Sequence, residues 1–458
     1  MRTGELGFWW RSLGGAPGPR APLPGPTEAD VAIVGAGYTG LWSAYYLKRA
    51  QPSLRVVVLE REVAGFGASG RNGGWVSGFF SGPSRVYERR GGRDGFLAMQ
   101  RTMFETVDEV ARVIAEHGIE ADLVKDGHLS VALNGAQRQR QREEVSHARR
   151  LGLDEHDLRE LSAEQLAARV RVAGARGATF SPHVARVHPV KLLLGLAALV
   201  EALGVPIYED TAVTEIAPHR ALTRRGAVAA RWVVRATEGY TADLRGLKRA
   251  LVPMNSSMII TEPLAPAVWE QIGWSGREVL GDGAHAYVYL QRTEDGRIAI
   301  GGRGVPYRFA SRTDGRRETA PATVESLRAK LHSMFPATAG VAVEHAWSGV
   351  LGVPRDWCIS VDADPDRGIA WAGGYVGEGV AAANLAGRTI RDLILEQPSP
   401  LTRLPWVGRH PARWEPEPLR WAAIHGVYSL YRRADRREQR SDRPSRLGRL
   451  VDAASGRT

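Results

Sequence analysis

The stretch Val31–Glu60, VAIVGAGYTGLWSAYYLKRAQPSLRVVVLE, constrains this chain more than any other. Val31–Val34 is a short apolar run and reads as a buried parallel strand. Gly35, Gly37 and Gly40 follow in the order G-x-G-x-x-G, with Ala36 and Thr39 between them. A helix is expected to about Ala50, and Pro52 prevents its continuation. Leu54–Leu59 is a second buried strand, with Glu60 at its end. This is a βαβ unit built to hold a dinucleotide. Gly35 allows the tight turn, Gly37 lets a pyrophosphate approach the backbone, and Gly40 lets the helix pack on the sheet. The helix N-terminus offers N–H donors and a positive dipole end. Glu60 lies 20 residues past Gly40, where an acid accepts from ribose hydroxyls. A carboxylate there disfavours a 2′-phosphate and argues against NADP.

A second glycine-rich stretch, Arg61–Trp75, carries Gly65, Gly67, Gly70, Gly73 and Gly74. A short nicotinamide site has no need of it. A longer cofactor does, because backbone must wrap its ring system beyond the pyrophosphate. Ser69, Arg71 and Asn72 are polar groups within reach of phosphate or ring oxygens. In a third stretch, a strand Gly368–Ala372 runs into Gly373, Gly374, Gly377 and Gly379, and a helix of small residues, Val380–Ile394, follows. Its N-terminus is a second dipole end aimed at a ligand.

At 458 residues the chain is long enough for two domains. A single cysteine, Cys358, excludes an intramolecular disulfide and a cysteine-cluster metal site, and no metal is expected. The N-terminal residues lack the apolar core of a signal peptide, and Leu192–Val200 is too short to span a bilayer. A cytoplasmic protein with no membrane span is the expectation. The net charge is +11, and residues 401–458 hold 13 arginines, no lysine and 6 acids. The chain has five lysines against 56 arginines, a compositional bias. A solvated arginine-rich face explains it, and no specific nucleic-acid partner is expected.

Between the glycine-rich stretches the character changes. Phe8-Trp9-Trp10 forms an aromatic knot before a proline-rich lead-in. Phe96, Met99, Met103, Val107, Val110 and Ile114 recur at helical spacing up to Gly118. Asp122–Leu133 reads as a hairpin turning at Asp126-Gly127, and Ser162 with Gln165 as a capping box. Met254–Thr261, His285–Arg292 and Arg297–Gly302 read as strands of an antiparallel sheet. Pro418–Arg440 is expected to be helical, with Trp421, Ile424, Val427 and Leu430 on one face.

VGAGYTGL, LEREVAGFGASGRNGG and AWAGGYVGEGVAAANLAGR together resemble the D-amino-acid oxidase superfamily of FAD-dependent oxidoreductases, nearest to its gamma-glutamylputrescine oxidase branch. The resemblance covers about Phe8 to Leu395. It implies an α/β fold in which a discontinuous Rossmann-like FAD-binding domain is joined to an α+β substrate domain on an antiparallel sheet. The expected segments are a lead-in (1–28), the FAD domain (29–92, 181–245 and 346–396), the substrate domain (93–180 and 246–345) and a basic, partly helical tail (397–458). The implied chemistry is oxidation of a C–N bond of a small-molecule amine. Hydride goes to the flavin, the imine is hydrolysed, and oxygen or another acceptor reoxidises the flavin. Oxidation of a D-amino acid or hydroxy acid is the alternative, and a flavoprotein docked through its basic tail is a further one.

Carried over by motif, Gly35, Ala36, Gly37, Thr39, Gly40, Glu60 and Arg61 hold the ADP half. Gly67, Ala68, Ser69, Asn72, Gly73 and Gly74 line the flavin side, and Val213 contacts adenine through its backbone. Gly374, Gly377, Gly379 and Val380 lie by the carbonyl edge of the ring. Two departures matter. Leu351 stands near where amino-acid-oxidising relatives place an arginine for the substrate carboxylate, which disfavours a plain amino acid unless Arg303, Arg308 or Arg355 compensates. Cys358 lies beyond the position that tethers FAD in sarcosine-oxidase relatives, and no histidine precedes His117, so the FAD is expected to be non-covalent. Hydride transfer from a neutral amine needs orientation and a dry site rather than a strong base, so no catalytic residue is assigned. Tyr287, Tyr289 and Arg292 are the substrate-binding candidates, an aromatic pair suiting a cationic amine.

Overall fold

The strand Thr27–Val34 sits inside a parallel sheet, flanked by Val56–Leu59 on one side and Gly226–Arg235 on the other. Ile207–Tyr208 and Ile369–Gly373 extend the two sides in parallel. The last four residues of Thr27–Val34 and all of Val56–Leu59 are buried, the signature of a sheet covered on both faces. In register, Leu59, Val34, Arg235 and Trp371 form one row. The strands therefore end together, and ligands of open α/β sheets bind at such a carboxyl edge. This computed structural model describes residues 2–3, 6–313 and 318–456.

The helices Tyr38–Ala50 and Gly379–Ile394 leave that edge and pack on each other. Gly387 makes the contact possible, since a Cβ there would lie 2.7 Å from the Trp42 carbonyl carbon. Pro189–Ala202 packs beside Tyr38–Ala50 and opens on Pro189, whose missing N–H costs a first helical turn nothing.

A nine-stranded sheet forms the second layer, among the described residues in the order Arg2–Thr3, Val343–Val353, Val252–Thr261, Ile298–Gly302, Val288–Arg292, Val279–Asp282, His128–Val131, Ala178–Ser181, Arg159–Leu161. Most of its pairings are antiparallel, and Val288–Arg292 with Ile298–Gly302 forms the expected hairpin. Val343–Val353 runs beside Val252–Thr261 along its whole length, so residues 346–353 lie in this sheet rather than in the parallel one. The expected hairpin within Asp122–Leu133 does not form. Instead His128–Val131 pairs with Ala178–Ser181 and Val279–Asp282, distant strands that bury its apolar residues.

The aromatic knot is a short buried helix, Phe8–Arg11. The helix Ser84–Glu116 covers the expected periodic stretch, bends at Gly92 (φ 67°) and buries Met99, Met103, Val107 and Val110. Ser162 and Gln165 do form a capping box. In the tail, the helix Leu419–Ser441 packs Ile424, Tyr428 and Tyr431 against Val252, Met254 and Val353. Trp421 is exposed instead, because the buried stripe runs through residues 420, 424, 428, 431, 434 and 438. No helix among the described residues is long and apolar enough to cross a membrane.

Candidate functional site

Two clefts meet at the carboxyl edge of the parallel sheet. The first spans about 1120 Å³ and the second about 810 Å³, both open to solvent. Ala68, Asn72, Leu351, Gly377 and Val380 line both, so these residues mark the junction. The three glycine-rich stretches thus converge, and the nine-stranded sheet closes the second cleft through Ser256, Tyr289 and Gly302.

Of the cofactor residues expected from sequence, Gly35, Gly37, Thr39, Glu60, Arg61, Gly67, Ala68, Ser69, Asn72, Val213, Gly377, Gly379 and Val380 line the first cleft. Gly73 lines the second. Ala36, Gly40, Gly74 and Gly374 line neither, for local reasons. The Ala36 N–H donates to Glu60 Oε2 at 2.9 Å. A Cβ on Gly40 would lie 1.9 Å from the Gly35 carbonyl oxygen, so this glycine seats the helix on the strand. A Cβ on Gly74 would meet the Gln291 amide at 2.1 Å, and one on Gly374 would meet Pro354 at 3.0 Å.

The second glycine-rich loop is held from below. Trp9 Nε1 donates to the Asn72 carbonyl at 2.9 Å, and Trp347 Nε1 to the Arg71 carbonyl at 3.0 Å. The aromatic knot therefore helps fix the loop. Ser69 Oγ accepts the N–H of Tyr38, the first residue of the helix, at 2.9 Å. Arg61 pairs with Asp243 at 2.9 Å and lies over the Tyr240 ring at 4.8 Å. Thr237, Glu238, Tyr240 and Tyr375 complete the first cleft and were not among the expected site residues. The turn Thr237-Glu238-Gly239 at a strand end is the sequence signal for the first three, and Tyr375 sits inside the third glycine-rich stretch.

Tyr287 and Tyr289 line the second cleft. Tyr289 Oη lies 2.9 Å from Ser256 Oγ, and its ring meets Trp75 edge-on at 6.1 Å. Burial pushes the Tyr289 phenol up to about 12, so it stays neutral. Arg292 does not reach the cleft. Its guanidinium lies 4.1 Å over the Trp269 ring and donates to the Trp274 carbonyl. Strand alternation is the cause: residues 287, 289 and 291 share one face, and Arg292 points to the other. Arg303 lines the second cleft, whereas Arg355 is paired with Glu415 at 2.8 Å and Arg308 lines neither cleft.

A long cofactor fits these walls. They are built from backbone and small side chains, and a Cβ on Gly377 would meet only Leu351 Cδ1, at 3.9 Å, leaving open space at the junction. Cys358 is not available to tether it. The thiol is buried against Gly82, where a Cβ would lie 2.4 Å from Sγ, and burial pushes its pKa up to about 12.

Residues 30–393 match the DAO family of FAD dependent oxidoreductases, and the chain belongs to that family. It is 31% identical over 375 residues to gamma-glutamylputrescine oxidoreductase of Escherichia coli (strain K12), covering 80% of this chain and 83% of that protein. It is 30% identical over 393 residues to the probable oxidoreductase OrdL of Haemophilus influenzae, covering 82% and 84%. Its fold is similar to the crystal structure of glycine oxidase from Geobacillus kaustophilus, with a TM-score of 0.68 at 21% identity, covering 81% of this chain and 96% of that one. The chain is an FAD-dependent oxidoreductase.

Proposed function

We propose that this flavoenzyme oxidises a C–N bond of an amine that carries an anionic group remote from the reacting nitrogen. The observation that carries this reading is the placement of Leu351 and Arg303. Leu351 stands at the junction of the two clefts, and Arg303 lines only the second. An apolar side chain at the junction cannot pair a carboxylate beside the reacting carbon, whereas the guanidinium farther along can hold one at the other end.

FAD, when bound, accepts the hydride and passes its electrons to oxygen or another acceptor. The chain's own part is binding and exclusion of water. Glu60, Arg61 and Val213 would hold the ADP half, and Ala68, Asn72, Gly377 and Val380 the flavin end. Tyr289, fixed by Ser256, and Tyr287 form an aromatic wall for the amine. No side chain is needed as a strong base, because a neutral amine gives up hydride once oriented. The enzyme works in the cytoplasm in this reading, since a chain with a single cysteine relies on no disulfide.

Anaerobic flavin bleaching by a panel of amines tests the reading. N-acylated diamines ending in a carboxylate are expected to bleach the flavin faster than unsubstituted diamines or small α-amino acids. Arg303→Ala is expected to lower kcat/KM for the carboxylated amine by about 10- to 100-fold, mostly through KM, the equivalent of about 1.5–3 kcal/mol for a hydrogen bond to a charged group. Fastest bleaching by glycine or D-amino acids would overturn the assignment.

A further inference from the structure

Glu238 departs from what its backbone position favours. It follows the strand Gly226–Arg235 and adopts φ 42°, a left-handed conformation that favours glycine or asparagine. Such strain persists where surrounding contacts enforce it, and it clusters at functional sites. The contacts here are specific. Glu238 Oε1 accepts the Tyr375 N–H at 3.0 Å, and Oε2 accepts the Gly374 N–H at 3.4 Å. The Gly352 backbone also donates to this carboxyl. Gly352 admits it, since a Cβ there would lie 2.0 Å from Oε2. The loop so held contains a second left-handed non-glycine residue, Val376 at φ 57°.

We propose that Glu238 is a positioning residue for the cofactor, its carboxyl clamping the loop Gly373–Gly377 to the end of the strand Val343–Val353 so that Gly377 faces the junction of the clefts. The clamp reaches further through Tyr375. Its hydroxyl lies 3.0 Å from Thr39 Oγ1 at the start of the first helix, and its carbonyl accepts from Ser81 Oγ at 3.0 Å. One carboxyl therefore ties the third glycine-rich stretch to the strand that carries Leu351, while Tyr375 ties the same loop to the first stretch.

Burial raises the Glu238 pKa to about 7, against the pull of the three N–H donors. The groups that face it are the Tyr375 phenol and the backbone of Gly352, Gly373 and Gly374. On its own turn and strand, Asp243 is paired with Arg61, and Arg235 lies over Trp371. Only the ionised form keeps every oxygen lone pair free for these donors, so the clamp is tightest above neutrality.

The test is the rate of FAD release from the holoenzyme, followed by flavin fluorescence from about pH 5.5 to about pH 8.5, in wild type, Glu238→Gln and Glu238→Asn. Wild-type release is expected to slow as pH rises through about 7. Both variants are expected to release FAD about tenfold faster at the high end, a loss of about 1.4 kcal/mol, and to show no step near neutrality. Asparagine suits the left-handed backbone, so Glu238→Asn removes the carboxyl without adding strain. Melting of the flavin-free proteins is measured alongside. Wild-type release rates and pH dependence in both variants would overturn the proposal, as would faster release matched by an equal loss of stability in the flavin-free protein.

Discussion

Glu60 Oε2 lies 2.9 Å from the backbone nitrogen of Ala36, while its Oε1 accepts the Glu62 N–H at 3.0 Å. The acid at the end of the second strand is thus fixed by the glycine-rich turn at the end of the first. Its orientation toward the first cleft is set before any ligand arrives.

Replacing Glu60 by alanine removes both acceptors and leaves two N–H groups without their partner. The expected cost is about 1–3 kcal/mol of stability, together with FAD affinity reduced by about tenfold or more. Urea unfolding and flavin titration check the two effects separately. Glu60→Gln keeps one acceptor and is expected to lose less of both.

Leu351 Cδ1 is the atom nearest to where a Cβ on Gly377 would stand. A cation introduced there would face the junction of the clefts. Leu351→Arg is therefore expected to raise flavin reduction by small α-amino acids by about tenfold, through one new charge-assisted pair of about 1.5 kcal/mol. Stopped-flow reduction with glycine or D-alanine measures it. An unchanged rate would show that the junction is not where a substrate carboxylate binds.

The first βαβ unit could be read from sequence because the contact that seats its helix on its strand is local: a Cβ on Gly40 would meet the Gly35 carbonyl, five residues back. Glu238 could not be read this way, because its partners lie 136 and 137 residues along the chain. Arg292 is separated from Tyr287 and Tyr289 by period-2 alternation, which is why it lies outside the cleft. The same alternation puts Gln291 with the tyrosines, and its amide does donate to the Gly73 carbonyl at 2.6 Å. In the tail, the apolar face expected from sequence runs through Trp421. The true face includes Tyr428 and Tyr431, and Arg420 buried beside Glu417, residues chosen by Val252 and Met254 on a distant strand.

Tyr289 is wedged between two glycines. A Cβ on Gly301 would lie 2.2 Å from its ring and one on Gly73 would lie 2.8 Å away. Gly301→Ala is thus expected to push the ring into the second cleft and to cost roughly 1–3 kcal/mol by overpacking. Substrate KM should rise while FAD content is retained. Tyr289→Phe loses only the bond to Ser256, about 1 kcal/mol, and is expected to keep the wild-type pH–rate profile, since a phenol raised to about 12 does not ionise in the working range. A shifted alkaline limb in Tyr289→Phe would contradict a purely architectural hydroxyl.

His188 links the aromatic knot to the helix Pro189–Ala202. Its Nδ1 accepts the Lys191 N–H at 3.2 Å, its Nε2 lies 3.0 Å from Ser12 Oγ, and its ring meets Trp9 edge-on at 5.1 Å. Burial pushes its pKa down to about 4, so the folded protein holds it neutral. The unfolded chain binds the proton near 6.5, so acidification favours unfolding. The stability due to neutral His188 is complete above about 6.5 and is lost as pH falls toward 4, by up to about 3 kcal/mol. His188→Asn keeps a side-chain oxygen to cap the helix but cannot titrate. Urea unfolding of the holoenzyme at neutral and acidic pH should therefore show a smaller acid loss in the variant than in wild type. Equal losses in the two proteins would mean that other buried groups, such as His128, whose pKa burial also lowers to about 4, govern the acid transition.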